Sequence, residues 1–218
     1  MFEVGPEKYR KEWESIHRSV FRLPRNPIGT ECESWNFQKT ESKNRPEWSF
    51  FPESIFQPSY GLAFFDENVL NWEEGFEKLR DITTTAEDDY FGFARLPAPP
   101  RAIDMRFYEY PVDISWEDFS SRGEKSPSSW ATTFNFHLVG DSKKWGVYYA
   151  EACSIYILGF SSEDILSAAQ IAFDFEGRNL ELIESMNFGG WGGLQEQQER
   201  RLRELAEKIR RGEEEQQV

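Results

Sequence analysis

The groups able to do chemistry in this 218-residue chain are two histidines, two cysteines and an excess of carboxylates. A zinc site needs three or four His, Cys or carboxylate ligands brought close together. His17 and His137 stand far apart, with no His/Cys cluster around either. His17 falls on a helical pattern and His137 on the polar side of a strand pattern, so both are expected at the surface. Glu87-Asp88-Asp89 offers oxygen ligands of the kind Mg²⁺ and Ca²⁺ take. No calcium-loop spacing surrounds it, and charge runs ordinarily face water. Cys153 lies in an apolar stretch, where a thiol serves as a small core side chain rather than a reactive thiolate. The run Gly189-Gly190-Trp191-Gly192-Gly193 lacks the lysine and Ser/Thr of a phosphate-binding loop, and no Gly-x-Ser-x-Gly elbow occurs. Glycoside hydrolysis needs two carboxyls at a fixed separation. Glu151, between two strand patterns, is the best acid for it, but spacing along the chain defines no partner. The expectation is a protein with no catalytic residue, no metal and no cofactor.

The elements that position these groups follow from hydrophobic period. Pro6 suits the first position of a helix over 6–21, in which Tyr9, Trp13, Ile16 and Val20 recur at helical spacing. Residues 25–60 read as irregular, with short strands such as 47–51 within them. Asn71 is expected to cap a helix carrying Trp72, Phe76, Leu79 and Ile82 on one face, with Glu73 and Glu74 in its first turn. Ser115-Trp116-Glu117-Asp118-Phe119 repeats that cap, Trp, two acids and Phe, and reads as a short helix start. Strands are expected at 91–96 and 104–110, joined by Pro97-Ala98-Pro99-Pro100; in the second, Met105 and Phe107 alternate with Asp104, Arg106 and Tyr108 on the polar side. Phe134, Phe136 and Leu138 alternate with Thr133, Asn135 and His137, the pattern of a half-buried strand. A turn at 140–144 leads to a strand over 145–150 and another over 154–160. Ser161 or Ser162 then caps a helix with Ile165, Ala169, Ala172 and Phe173 on one face. A short element follows at 179–187. Leu194–Arg211 is helical, with a narrow Leu202, Leu205 and Ile209 stripe, and Glu213-Glu214-Glu215 is expected to fray. Strand, strand, strand, helix predicts an α+β domain with an antiparallel sheet flanked by helices and a charged C-terminal helical extension. The domain is expected over 1–188, a Gly-rich joint at 189–193, and the helix and tail at 194–218. On this division the tail is expected to be dispensable for folding.

Aromatics exceed branched aliphatics, 35 against 32, and the formal net charge is −14. Ring burial, at ~150–250 Å² each, builds a core from few aliphatics. The charge is concentrated: residues 61–194 hold 23 acidic and 10 basic side chains. Such a field attracts basic partners and repels nucleic acid and anionic membranes. Two lone cysteines make no disulfide framework. The first residues have no basic-then-apolar signal pattern, and no run of 18 apolar residues occurs. A cytoplasmic protein with reduced thiols is expected.

Trp145-Gly146-Val147-Tyr148-Tyr149, then Glu151, then Ile155-Tyr156-Ile157-Leu158-Gly159-Phe160, is similar to the strand pair near the end of small acidic bacterial immunity proteins. Ser115-Trp116-Glu117-Asp118-Phe119 looks like their linking helix. The resemblance covers about a quarter of the chain, and its motifs are mostly core-forming. It implies a protein that neutralises a polymorphic or contact-dependent toxin by covering a basic channel.

Charge and resemblance agree on a non-enzymatic acidic protein that inhibits a basic protein partner, a bacterial toxin, with no nucleic acid or membrane partner. The expected partner-binding residues combine acid with an exposed aromatic: Glu73, Glu74, Glu87, Asp88, Asp89, Tyr90, Glu117 and Asp118. Two alternatives stand beside this. One is a carboxylate-dependent hydrolase, carbohydrate-active or metal-dependent. The other is a scaffold that self-assembles through its C-terminal helix.

Overall fold

The central strands are apolar on both sides, which a sheet sustains only when both faces are covered. The computed structural model describes residues 7–22, 55–66, 69–70, 72–95, 106–120, 136–150, 155–185 and 196–216. In chain order the elements are α1 (Glu7–Val20), β1 (Gly61–Phe65), α2 (Glu73–Ala86), β2 (Tyr90–Arg95), β3 (Arg106–Pro111) and α3 (Trp116–Ser120). Then come β4 (Phe136–Gly140), β5 (Trp145–Ala150), β6 (Ile155–Phe160), α4 (Glu163–Phe173), α5 (Leu180–Ser185) and α6 (Glu196–Gln216). The six strands form one sheet in the order β1-β6-β5-β4-β2-β3, with every neighbouring pair antiparallel. The fold is α+β, as the sequence predicts.

Helices cover both faces. On one, Phe76, Leu79 and Ile82 of α2, Phe119 of α3, and Ile165, Ala169 and Phe173 of α4 pack on Phe91, Phe93, Phe136, Leu138, Trp145 and Tyr156. On the other, Trp13, Ile16 and Val20 of α1, Leu180 and Ile183 of α5, and Leu202, Leu205 and Ala206 of α6 join Phe64, Val139, Tyr148 and Ile157. Two layers of helix on one sheet explain a correction to the sequence reading. The strand that carries Phe136 and Leu138 is not half-buried; all of Phe136–Gly140 is inside, including His137. Tyr108, expected on the polar side of its strand, is buried as well.

A row of small residues crosses the sheet beneath α1. Gly92 pairs with Val139, Val139 with Gly146, and Gly146 with Gly159. A Cβ at Gly92 would sit 2.3 Å from the Trp13 ring, one at Gly146 would sit 2.7 Å from Val20, and one at Gly159 would sit 2.2 Å from Phe56. Trp13 and Val20 lie seven residues apart, ~10.5 Å along a helix. That matches the ~9.6 Å from β2 across β4 to β5. Helix α1 therefore runs across the strands, seated in the trough that the glycines leave.

Other expectations resolve differently. Asn71 lies outside the described residues. The N-cap of α2 is Trp72, extended in backbone, with no side-chain capping bond. Its ring does not share the buried face of Phe76, Leu79 and Ile82, because it precedes the helix. Ser115 does cap α3, its Oγ accepting the Asp118 N–H at 3.0 Å. Ser162 is the N-cap of α4, again without a side-chain bond. Helix α6 continues to Gln216 rather than fraying at 213–215, and its stripe packs on its own domain, with Leu202, Leu205 and Ala206 buried. Cys32, Cys153, Glu151, the 47–51 strand, the Pro97–Pro100 loop and Gly189–Gly193 fall outside the described residues.

Candidate functional site

The acid is unevenly divided between the two helical layers. Helices α2, α3 and α4 carry eight acidic and two basic side chains in 30 residues; α1, α5 and α6 carry twelve and ten in 41. All eight acids of the first layer are exposed: Glu73, Glu74, Glu77, Asp81, Glu117, Asp118, Glu163 and Asp164. Both bases are half-buried and held by acids of their own helix. Arg80 Nη1 lies 2.8 Å from Glu77, and Lys78 Nζ 3.5 Å from Glu74. Six of the acids occupy first turns, where the helix dipole favours negative charge, so they also help the helices form.

The eight predicted residues separate into two groups. Glu73 and Glu74 start α2, and Glu87 follows its end, ~20 Å away along a helix. Glu117 and Asp118 belong with the first group, because α3 packs on the start of α2: the Phe76 ring lies 5.6 Å from Trp116 and 4.6 Å from Phe119. Beside them stands Trp72, 69% exposed, one turn from Phe76 and joined to it by the Phe76 N–H donating to the Trp72 carbonyl at 3.1 Å. The sequence reading missed Trp72 as a surface residue because its spacing continues the apolar stripe of α2. Only its place ahead of the first-turn acids separates it from that stripe.

The second group, Glu87 to Tyr90, is a structural junction. Asp88 is 6% exposed, which corrects its assignment to a partner-facing surface. Its Oδ2 accepts the Trp145 Nε1–H at 2.6 Å, and its Oδ1 accepts the Ser142 N–H at 2.7 Å. Its own N–H donates to the Thr83 carbonyl at 3.0 Å. Asp88 thus ties the end of α2 to β5 and to the β4–β5 turn. Gly140 makes room for it, since a Cβ there would stand 2.2 Å from Asp88 Oδ2. Asp141 lies alongside, and burial, then its hydrogen bond to Asp88 and the charge of Asp88, raise its carboxyl to about 6. Glu87, in the left-handed region at φ 60°, closes α2 and reaches Lys144 Nζ at 2.9 Å. The Lys144 hydrogen bond and charge lower its carboxyl. Asp89 and Tyr90 are exposed at the rim of this junction.

The two histidines do not face water, which corrects the second expectation. His17 Nε2 lies 2.7 Å from His137 Nδ1, between α1 and β4, with both rings fully buried. Phe21 stacks on both, at 4.6 Å on His17 and 4.0 Å on His137. Phe107 meets His17 edge-on, and Tyr148 meets His137 the same way. Burial, then the charge of Arg18, lowers His17 to about 3; burial, then His17, takes His137 well below its ordinary value. Among the described residues, no three His, Cys, Asp or Glu gather as metal ligands do. No described helix is long and apolar enough to cross a membrane.

No family model matches the chain, and neither a characterised protein nor a solved structure matches it.

Proposed function

We propose that the protein is a non-enzymatic binding protein whose α2–α3–α4 layer covers a basic protein partner, and that the partner is a toxin neutralised as immunity proteins neutralise theirs. The observation that carries this is the eight exposed carboxylates on one helical layer, whose two cations are already paired, set against a near-balanced opposite layer. Charge gathered on one face steers encounter with an oppositely charged surface, which charge spread over the whole molecule does less well. Trp72 supplies what carboxylates lack. An exposed indole beside Glu73 and Glu74 offers an apolar anchor and a ring face for an arginine of the partner. The partner-facing set therefore becomes Trp72, Glu73, Glu74, Glu77, Asp81, Glu117, Asp118, Glu163 and Asp164, with Glu87, Asp89 and Tyr90 at its margin and Asp88 removed.

The hydrolase alternative has, among the described residues, a hydrogen-bonded carboxyl pair in Asp88 and Asp141. Both oxygens of Asp88 are already taken by Trp145 and Ser142, so the pair serves better as a turn lock than as an acid and base. The same proposal places the protein in the cytoplasm, with reduced thiols and no cofactor. Coexpression with the product of the neighbouring open reading frame tests it. Rescue of growth by the wild type, lost when Glu73, Glu77 and Glu117 become Lys, is the expected result. No rescue, or rescue indifferent to the reversal, overturns it.

A further inference from the structure

The His17–His137 pair serves no part of the acidic layer; it lies on the opposite face of the sheet. A neutral pair makes one hydrogen bond, one ring donating and the other accepting. Among the described residues, the rings of Phe21, Phe107 and Tyr148 pack against it. His17 Nδ1 is buried and makes no hydrogen bond. A first proton would put a cation among those rings. A second would remove the acceptor and set two N–H groups against each other across 2.7 Å. We propose that this contact is an acid-sensitive latch: protonation of the pair releases α1 from the glycine trough and uncovers that face of the sheet.

Ionisable side chains of the described residues lie on the elements around such a charge. Arg18, next along α1, repels it. Glu109 on β3 shares the face but already accepts the Trp13 Nε1–H at 2.6 Å. Tyr148 on β5 meets His137 edge-on, and Glu14 on α1 is half-buried one turn before His17. The seating of α1 is also one of shape. Trp13 fills the space above Gly92, and Val20 shares that above Gly146 with Phe21, so a released helix uncovers the trough at Gly92. The His17–His137 bond is therefore a polar tie between α1 and β4 that a change of pH reaches.

The sign follows from where the protons go. With α1 open, both imidazoles titrate near 6.5. With α1 seated, they stay neutral far below that. The seated state is favoured above ~6.5 and loses ground as pH falls, tenfold per pH unit for each histidine that charges on opening. Asp141 works in the opposite sense and sits on the β4–β5 turn, so a histidine-specific comparison separates the two.

Hydrogen exchange of the full-length protein from pH 7 to pH 5, corrected for intrinsic rates, tests the latch. The α1 amides should lose tenfold or more in protection per pH unit below 6.5, while α2 and α4 hold theirs. The variant with His17→Leu and His137→Leu should show no such slope. Flat protection of α1, an unchanged slope in the variant, or parallel opening of α2 and α4 would overturn the proposal. Should the double variant not fold, NMR titration of the wild-type imidazole protons decides the matter. The latch requires both rings to stay neutral while α1 is seated, and an ordinary midpoint near 6.5 in the intact fold refutes it.

Discussion

Replacing Asp88 by Ala tests the separation of structural from partner-facing acid most sharply, because the sequence placed Asp88, Glu87 and Asp89 together. In the structure Asp88 accepts two hydrogen bonds from buried or half-buried donors, the Trp145 indole and the Ser142 amide. Bonds to a charged acceptor contribute about 1.5–3 kcal/mol each, and the abandoned donors lose water as well. Asp88→Ala should therefore cost about 3–5 kcal/mol. With a urea slope of about 2–3 kcal/mol per molar for a chain of this size, the midpoint should fall by about 1–2.5 M. Asp88→Asn keeps one acceptor oxygen and should lie between the wild type and the Ala variant. Asp89→Ala, at an exposed position, should stay within about 0.5 kcal/mol of the wild type. Equilibrium urea unfolding at pH 7 reads all three. A loss under about 1 kcal/mol in Asp88→Ala, or equal losses at 88 and 89, would show that the junction around Asp88 does not hold the turn.

Phe136, buried between Phe93, Tyr149 and Tyr156, should cost about 3–5 kcal/mol as Phe136→Ala; denaturation giving less than about 1 kcal/mol would mean the strand register is wrong. Deleting residues 196–218 removes Leu202, Leu205 and Ala206 from the second core and should depress the melting temperature strongly, the reverse of a dispensable tail; coincident melts of the full and shortened chains would refute the packing. Asp141 is raised to about 6 by burial and by Asp88, so its neutral form favours the fold and its contribution is lost as pH rises from the unfolded value of 3.8 through about 6. The stability of Asp141→Asn relative to wild type should accordingly grow from pH 4 to pH 7, and a constant difference across that range would rule the coupling out.

The fold was legible because period decided it. Most described strands and helices lie within a residue or two of their expected places, since long apolar alternation and helical spacing survive any tertiary context; β1 had no expected counterpart, and α6 runs five residues past its expected end at 211. The second covering layer was less legible. His137 and Tyr108 alternate with apolar residues, which reads as an exposed side, and only α1 and α2–α4 closing over both faces puts them inside. The glycines at 92, 146 and 159 were the available signal. A glycine within a strand marks close approach of another element: Gly92 and Gly146 seat α1, and Gly159 seats Phe56. At the site, the first-turn acids were readable from helix starts, but the burial of Asp88 was not. It depends on a Trp 57 residues away, and no local pattern encodes that. Trp72 was hidden for the opposite reason, because its spacing imitates a buried stripe.

The central claim, that the α2–α3–α4 layer meets a basic protein, is tested most directly by stopped-flow association with the product of the neighbouring open reading frame, across ionic strengths from about 0.01 to 0.5 M, where surface charge passes from long-ranged to screened. The account predicts an on-rate that falls tenfold or more with salt. The rate should slow similarly when Glu73, Glu77, Asp81 and Glu117 become Lys, and Trp72→Ala should act chiefly on the off-rate. An on-rate indifferent to both salt and the four reversals would contradict the claim and leave these carboxylates as solubilising helix starts.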